Sequence, residues 1–436
     1  MRKAHRLAAT GDLTPQKKAL ALLLALPVLT LSILLFSALG PGRPFVSTSR
    51  TVPSAGYIRP PKLAYLISAS RGEGRQVKRL LQAVYHPWNY YLLQLDLAVS
   101  PEERGDLLDY VESEPTFIKF GNVRVVGEAD AVTPKGPTVV SSTLHAVAIL
   151  LREARDWNWF INLGAADYPL MPQDDLLHIF SYLPRDLNFI EHASNIGWKE
   201  HQRARPIIVD PQLYGSQKAN VFWVKDKRSM PSSFKLFVGT ALVYAIFDLP
   251  LTRGSSGSRE FFLADSSSWV ALTRSFLEFC ILGWDNLPRT LLMYYTNFLF
   301  SSEGYFHTVI CNSMDFQNTT INHDLRFAVW DNPPQQNPLN LHLEHFSLMA
   351  DSGAPFARTF VENSPVLDQI DLKLLKRSRD RLAAGGWCLG SSTSGKDPCA
   401  VYGKPFIIRP TERSARLEQL LLKLLDAESF RSRQCK

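Results

Sequence analysis

The stretch SSEGYFHTVICN, Ser301 to Asn312, carries one carboxylate, Glu303, between two serines and a glycine and just ahead of an apolar run. Polar turn residues before YFHTVI predict a loop feeding a packed element, which puts Glu303 at the rim of that element. A carboxylate there can take a proton from an attacking hydroxyl, cap a helix, or sit solvated in a loop. Two aspartates end apolar runs in a similar way: Asp96 follows YYLLQL, and Asp167 lies in GAADYP after WFINL. Each is placed either to cap the next helix or to accept hydrogen bonds from ribose hydroxyls or a uracil N–H, and the residues alone leave both readings open.

Several other chemistries lack their residues. No D-x-D, H-E-x-x-H or G-x-x-x-x-G-K-[ST] occurs in the chain, so a carboxylate-clamped divalent ion, a zinc protease and a P-loop are not expected. GEGRQV, Gly72 to Val77, follows an apolar run and imitates a dinucleotide fingerprint, but the third glycine position is Val77. A transferase acting on a diphosphate would have to neutralise it with Arg or Lys.

The elements around these residues alternate. LAYLISA, YYLLQLDL, FIKFGNVRVV and WFINL read as strands, separated by the amphipathic stretches RQVKRLLQAVY, PEERGDLLDYVE and SSTLHAVAILLREA. That order predicts an α/β domain with a mostly parallel sheet, whose ligand crevice lies at the carboxyl ends of the strands. Ser68 in SASRGEG, Asp96 and Asp167 all fall there.

Ala19 to Leu39 is a run of 21 residues without a charge, long enough to span a bilayer, and is read as an uncleaved signal-anchor, a single transmembrane helix. Arg2, Lys3, Arg6, Lys17 and Lys18 against Asp12 put +4 ahead of it, which keeps residues 1–18 cytosolic and everything after the anchor lumenal. Only +3 of the overall +7 is left for the rest of the chain, so a nucleic-acid partner is not expected. Residues 40–61, rich in Pro, Gly, Ser and Thr, read as a stem, and residues 62–436 as the lumenal domain. Of the five cysteines, Cys388 and Cys399 flank a Gly/Ser loop and are expected to form a disulfide. Cys435 is taken as the odd one, with the partners of Cys280 and Cys311 open. Asn318, in NTT, is the one glycosylation sequon.

Seven blocks carry a resemblance: INLGAADYPLMPQDDLL, FIEHASNIGWKEHQRARPIIVDPQLY, GWDNLPRTLLMYYTNF, SEGYFHTVICNS, NHDLRFAVWDNPP, SGAPFARTF and FRSRQCK. In this order they resemble the plant branch of the core-2/I-branching glycosyltransferases, and within it the β-glucuronosyltransferases that act on arabinogalactan proteins. The resemblance covers nearly all of residues 62–436. It implies a GT-A fold with a Rossmann-like nucleotide half, metal-independent inverting chemistry without cofactor, a UDP-sugar donor such as UDP-glucuronate, a galactan acceptor, and a type II anchor in the Golgi membrane. It also places the catalytic base on Glu303, uridine contacts on Asp96 with Ser68 nearby, and the centre of the cleft on Asp167. Acceptor contacts fall on Glu191, Lys199 and Arg203, while Trp284 and Asp285 are placed to stack on and hydrogen-bond a sugar ring.

Three departures from the family pattern stand out. FKLFVGTA is separated from WVALTRSF by 27 residues, Leu242 to Ser268, at a join expected to lie in the cleft, so an inactive lumenal form is the competing reading. The basic residue expected after FAR is Thr359, which leaves Arg358 as the nearby guanidinium, with Arg326, Arg289 and Lys404 as alternatives. Ser302 replaces the proline expected before Glu303. Which donor is used, UDP-glucuronate, UDP-xylose or UDP-N-acetylglucosamine, depends on contacts to the sugar C5 substituent that sequence does not show.

Overall fold

A computed structural model describes residues 59–435 apart from 198, 217, 219, 240–267, 284, 332–337 and 391–396. The expected tail, the anchor, nearly all of the stem, Trp284 and all of the insertion except its last residue, Ser268, therefore lie outside the described residues. Among the described residues no helix is long and apolar enough to cross a membrane.

Seven strands form the main sheet: β1 (Leu63–Ala69), β2 (Tyr90–Leu95), β3 (Val123–Val125), β4 (Trp159–Gly164), β6 (Asn188–Phe189), β9 (Ala271–Thr273) and β10 (Thr320–Ile321). Their order across the sheet is β10-β6-β9-β4-β1-β2-β3. β1 pairs in parallel with both β2 and β4, and β9 runs antiparallel between β4 and β6. The sheet is thus mostly parallel, as expected. A three-stranded sheet joins β5 (Tyr168–Pro169), β11 (Arg326–Phe327) and β12 (Phe356–Ala357), and a separate hairpin joins β7 (Pro206–Val209) to β8 (Phe222–Lys227).

Both faces of the main sheet are covered, which explains why its strands read as nearly unbroken apolar runs. Leu63, Tyr65 and Ile67 of β1 face one core with helices α1 (Gly74–Val84), α2 (Pro101–Ser113) and α4 (Gln173–Ser181). Ala64 and Leu66 face the other, with α3 (Thr138–Glu153), α5 (Arg274–Leu282), α6 (Leu287–Tyr295) and α7 (Tyr305–Asn312). One expected strand is half helix. Pro115–Phe120 turns helically, starting with Pro at its first position and a cap from Glu114 and ending at Gly121 with φ 60°, and only Val123–Val125 is extended. Local capping chemistry overrides the β-branched and aromatic content there.

Cys388 and Cys399 are joined, as expected. Cys435 is not the odd cysteine: it is joined to Cys311, and the unpaired thiol is Cys280, buried in the core, where desolvation pushes its pKa far up. The chain end is drawn back to β10, where Gln434 Nε2 donates to the Thr320 carbonyl at 2.9 Å, and a pairing across 124 residues leaves no mark in local sequence. Asn318 is exposed.

Candidate active site

A cavity of about 290 Å³ opens at the carboxyl ends of β1, β2 and β4. Ser68, Asp96, Asp167 and Arg358, from four separate parts of the chain, all line it, with Trp269 and Thr359. The helix-cap alternative fails for both aspartates. The cap of α2 is Ser100, whose Oγ accepts from the Glu103 amide at 3.2 Å, and the residue before α4 is Pro172, which offers no side-chain cap. Asp96 instead closes a turn by accepting from the Ala98 amide at 3.0 Å. Asp167 accepts from the Gly164 amide at 2.7 Å and is 2% exposed. Burial pushes its carboxyl pKa up, against the opposing charges of Arg326 and Arg358.

The glycine turn after β1 does not offer its amides to a phosphate. The N–H groups of Gly72 and Gly74 donate to the two carboxylate oxygens of Glu103, at 3.0 and 2.8 Å. An anion from the protein's own chain fills the place where a dinucleotide pyrophosphate would sit.

Among the cations proposed for a diphosphate, only Arg358 lines the cavity. Its guanidinium lies 4.5 Å from the ring centre of Trp269, and its Nε has no partner among the described residues. Arg326 stands behind it, buried, bound to the Asn162 and Asp324 carbonyls and charge-coupled to Asp167. Arg289 and Lys404 are exposed and away from the cavity lining. A second cavity, about 270 Å³, shares Ala165 and Asp167 with the first, but several of its cations are already paired, Arg79 to Asp368 and Asp371 and Arg75 to Glu362.

Glu303 ends a tight turn, Ser301–Glu303, immediately before α7. Ser301 Oγ donates to the Tyr295 and Phe298 carbonyls at 2.8 and 2.7 Å, which holds the turn. Gly304 is required sterically, since a Cβ there would lie 2.6 Å from the Tyr295 hydroxyl oxygen. Glu303 is neither a cap nor a solvated charge: it is 7% exposed and its carboxylate is ion-paired with Arg203. Arg203 is itself buried, stacks over Phe300 at 4.6 Å, and burial pushes its pKa down to about 10.

The other two acceptor-side residues join the same cluster. Lys199 is 2% exposed and donates from Nζ to the Gly239 carbonyl at 3.0 Å, while the Gly239 amide donates to the Glu303 carbonyl at 2.8 Å. Burial and the Arg203 charge push the Lys199 amine down to about 7, and Glu191, also buried, opposes that shift. Asp285 is not brought to the cavity. It is exposed and accepts from the Leu287 amide at 2.9 Å, a turn that starts α6.

Two connections tie the Glu303 cluster to the cavity. The Phe300 amide donates to the Lys135 carbonyl at 2.9 Å and the Glu303 turn packs on α3, whose residues Val139, Ser142 and Thr143 line the cavity. Gly239, the last described residue ahead of the insertion, lies beside Glu303, and Trp269, the first residue after it, lines the cavity.

A charge-paired carboxylate beside a strand-end cavity suits more than one transfer chemistry, and the sequence comparisons decide among them. The core-2/I-branching enzyme family model matches residues 63–350. The chain belongs to the core-2/I-branching enzyme family. Two plant members are similar over most of their length. Beta-glucuronosyltransferase GlcAT14C of Arabidopsis thaliana is 56% identical over 376 residues, 86% of this chain and 85% of that protein. Beta-glucuronosyltransferase GlcAT14B of the same plant is 54% identical over 391 residues, 90% and 84%. Human xylosyltransferase 1 is 26% identical over 278 residues, 62% of this chain and 24% of that protein. This core-2/I-branching enzyme is accordingly a glycosyltransferase with a mixed α/β fold. Trp269 carries no sequence signal as a site residue, since it lies just past the insertion, and Arg326 is legible only as one cation among several. The fold alone sets both beside Arg358 and Asp167.

Proposed function

We propose that this protein is a GT-A type, inverting, metal-independent glucuronosyltransferase of the Golgi membrane, anchored by Ala19 to Leu39, that transfers glucuronic acid from UDP-glucuronate to galactose of arabinogalactan glycans. The observation that carries the reading is the buried Glu303–Arg203 pair on a turn packed against the helix that lines the cavity. Glu303 accepts the proton of the acceptor hydroxyl as that oxygen bonds to the anomeric carbon, and the bond to UDP breaks on the opposite face. Asp96 and Ser68 take the nucleoside. Arg358, backed by the buried charge of Arg326, neutralises the leaving diphosphate without a divalent ion. Lys199, Arg203 and Glu191 orient the acceptor. The names of the two plant relatives support the donor sugar.

The test is UDP release by residues 40–436, with EDTA present, from UDP-glucuronate, UDP-xylose or UDP-N-acetylglucosamine and a β-galactan oligosaccharide. Release from UDP-glucuronate alone supports the reading, and release from another donor replaces the sugar assignment. A second reading, a silent form, is favoured by the described residues that flank the insertion, Gly239 beside Glu303 and Trp269 in the cavity lining. Activity that appears only after deletion of Leu242 to Ser268 would establish it.

A further inference from the structure

Strand β8, Phe222–Lys227, is exposed along all six residues. Phe222 is 49% and Trp223 59% exposed, and Tyr214, in the connection from β7, is 73% exposed. The register sets Val209 opposite Phe222 and Ile208 opposite Trp223. A strand open on both faces contributes little to a core; Lys218 lies 5.3 Å over the Phe222 ring, but both rings stay largely exposed, and such aromatic patches mark interaction sites. Lys225 and Lys227 guard the strand against edge pairing with another sheet.

The hairpin is mechanically joined to the Glu303 cluster. The Ile208 amide donates to the Asn297 carbonyl at 3.2 Å and Asn297 Nδ2 donates back to the Ile208 carbonyl at 2.8 Å, on the segment that leads to the Glu303 turn. Arg228, just past β8, donates from its amide to the Arg205 carbonyl at 2.9 Å and from Nε to the Ala204 carbonyl at 2.6 Å, beside Arg203. Only about six residues separate Arg203 from Val209, at most ~20 Å of chain. That reach, roughly 20 Å at most, bounds how far the hairpin stands from Arg203 and its partner Glu303.

We infer that the β7–β8 hairpin is a stacking platform for the extended acceptor glycan, a run of neutral hexopyranoses beyond the sugar that reacts. The inference rests on the proposed transfer to a galactan. The C–H face of a pyranose packs flat on an aromatic ring while its hydroxyls stay in water, and Trp, Tyr and Phe present that rigid area at low cost in side-chain entropy. Continuity with the acceptor side favours a glycan over a bilayer or a second copy, because the hydrogen bonds to Asn297 and Ala204 hold the rings at a set distance from Glu303.

The test compares the full chain with a Phe222→Ser/Trp223→Ser variant, neither residue belonging to the proposed catalytic or binding cluster. Calorimetric titration without any nucleotide sugar measures the affinity for a long β-galactan oligosaccharide and for a galactose disaccharide. The long oligosaccharide should bind the variant about tenfold more weakly, with disaccharide affinity and melting temperature unchanged. Equal affinity of the two proteins for the long oligosaccharide overturns the platform, and so does a wild type that binds it no better than the disaccharide. Lost vesicle binding or self-association with galactan affinity intact reassigns the surface and equally overturns it. Because no donor is present, a wild type that binds galactan in this way but transfers no glucuronate refutes the proposed function while the platform stands.

Discussion

Replacing Glu303 by glutamine removes the proposed base and, at the same stroke, takes away the carboxylate that pairs with the buried Arg203 guanidinium. The side chains of Arg203 and Glu303 are only 5% and 10% exposed. Breaking a buried pair by removing one partner costs about 3–5 kcal/mol. With an unfolding entropy of about 2 cal/mol/K per residue, a domain of this size should lose roughly 4–6 °C in melting temperature. Loss of a general base lowers kcat by about 10²–10⁴-fold. The single variant thus mixes two effects, which the double variant Glu303→Gln/Arg203→Met separates. Two neutral side chains of similar length remove the buried charge, and most of the lost melting temperature should return. Activity should not. The assay is UDP release under saturating donor and acceptor, beside thermal melts of wild type, both single variants and the double. A Glu303→Gln protein within tenfold of wild-type kcat, or a double variant that regains turnover with its stability, would refute Glu303 as base and leave it a structural ion-pair partner.

Arg358→Ala should raise the donor KM about 10- to 100-fold with a smaller change in acceptor KM, as expected for one charge-assisted bond to phosphate; equal changes in both would contradict the assignment. Lys199 has its folded pKa near 7, below the ordinary lysine value of 10.5, so between those values the unfolded chain binds the extra proton and stability rises with pH. Lys199→Met should therefore out-melt wild type most at or below pH 7, with the gap shrinking toward pH 10, and a pH-independent gap would show that the amine is not charged by unfolding. Cys435→Ser opens the Cys311 bridge, which closes a loop of 124 residues, and should cost about 3–5 kcal/mol by denaturant titration. An unchanged midpoint would show that the C-terminal bridge is dispensable.

Asp285 has the residue type and the block context of a sugar contact, yet its carboxylate is spent on the turn that starts α6. Local hydrogen bonding claims a short side chain before a ligand can, a competition that sequence spacing does not reveal. The same competition acts at Gly72 and Gly74, whose amides look available in sequence and are taken by Glu103, 31 and 29 residues further on. Cys435 reads as odd for a different reason: its partner lies 124 residues away, a separation that no local pattern reports.

Sequence by itself determined the alternating β and α elements, because apolar periodicity and turn residues act over a few neighbours, and it determined the family through blocks that persist in order over most of the chain. It also determined that Ser68, Asp96 and Asp167 end strands, and parallel strands bring their carboxyl ends to one side. Only the tertiary structure decided that Arg358 rather than Arg289 or Lys404 enters the cavity, that Arg326 and Trp269 stand beside it, and that Arg203 finds Glu303 across 100 residues. The physical reason is that burial sets these roles. A charge removed from water must find a partner, and which partner is within reach depends on how the two layers of helices close over the sheet.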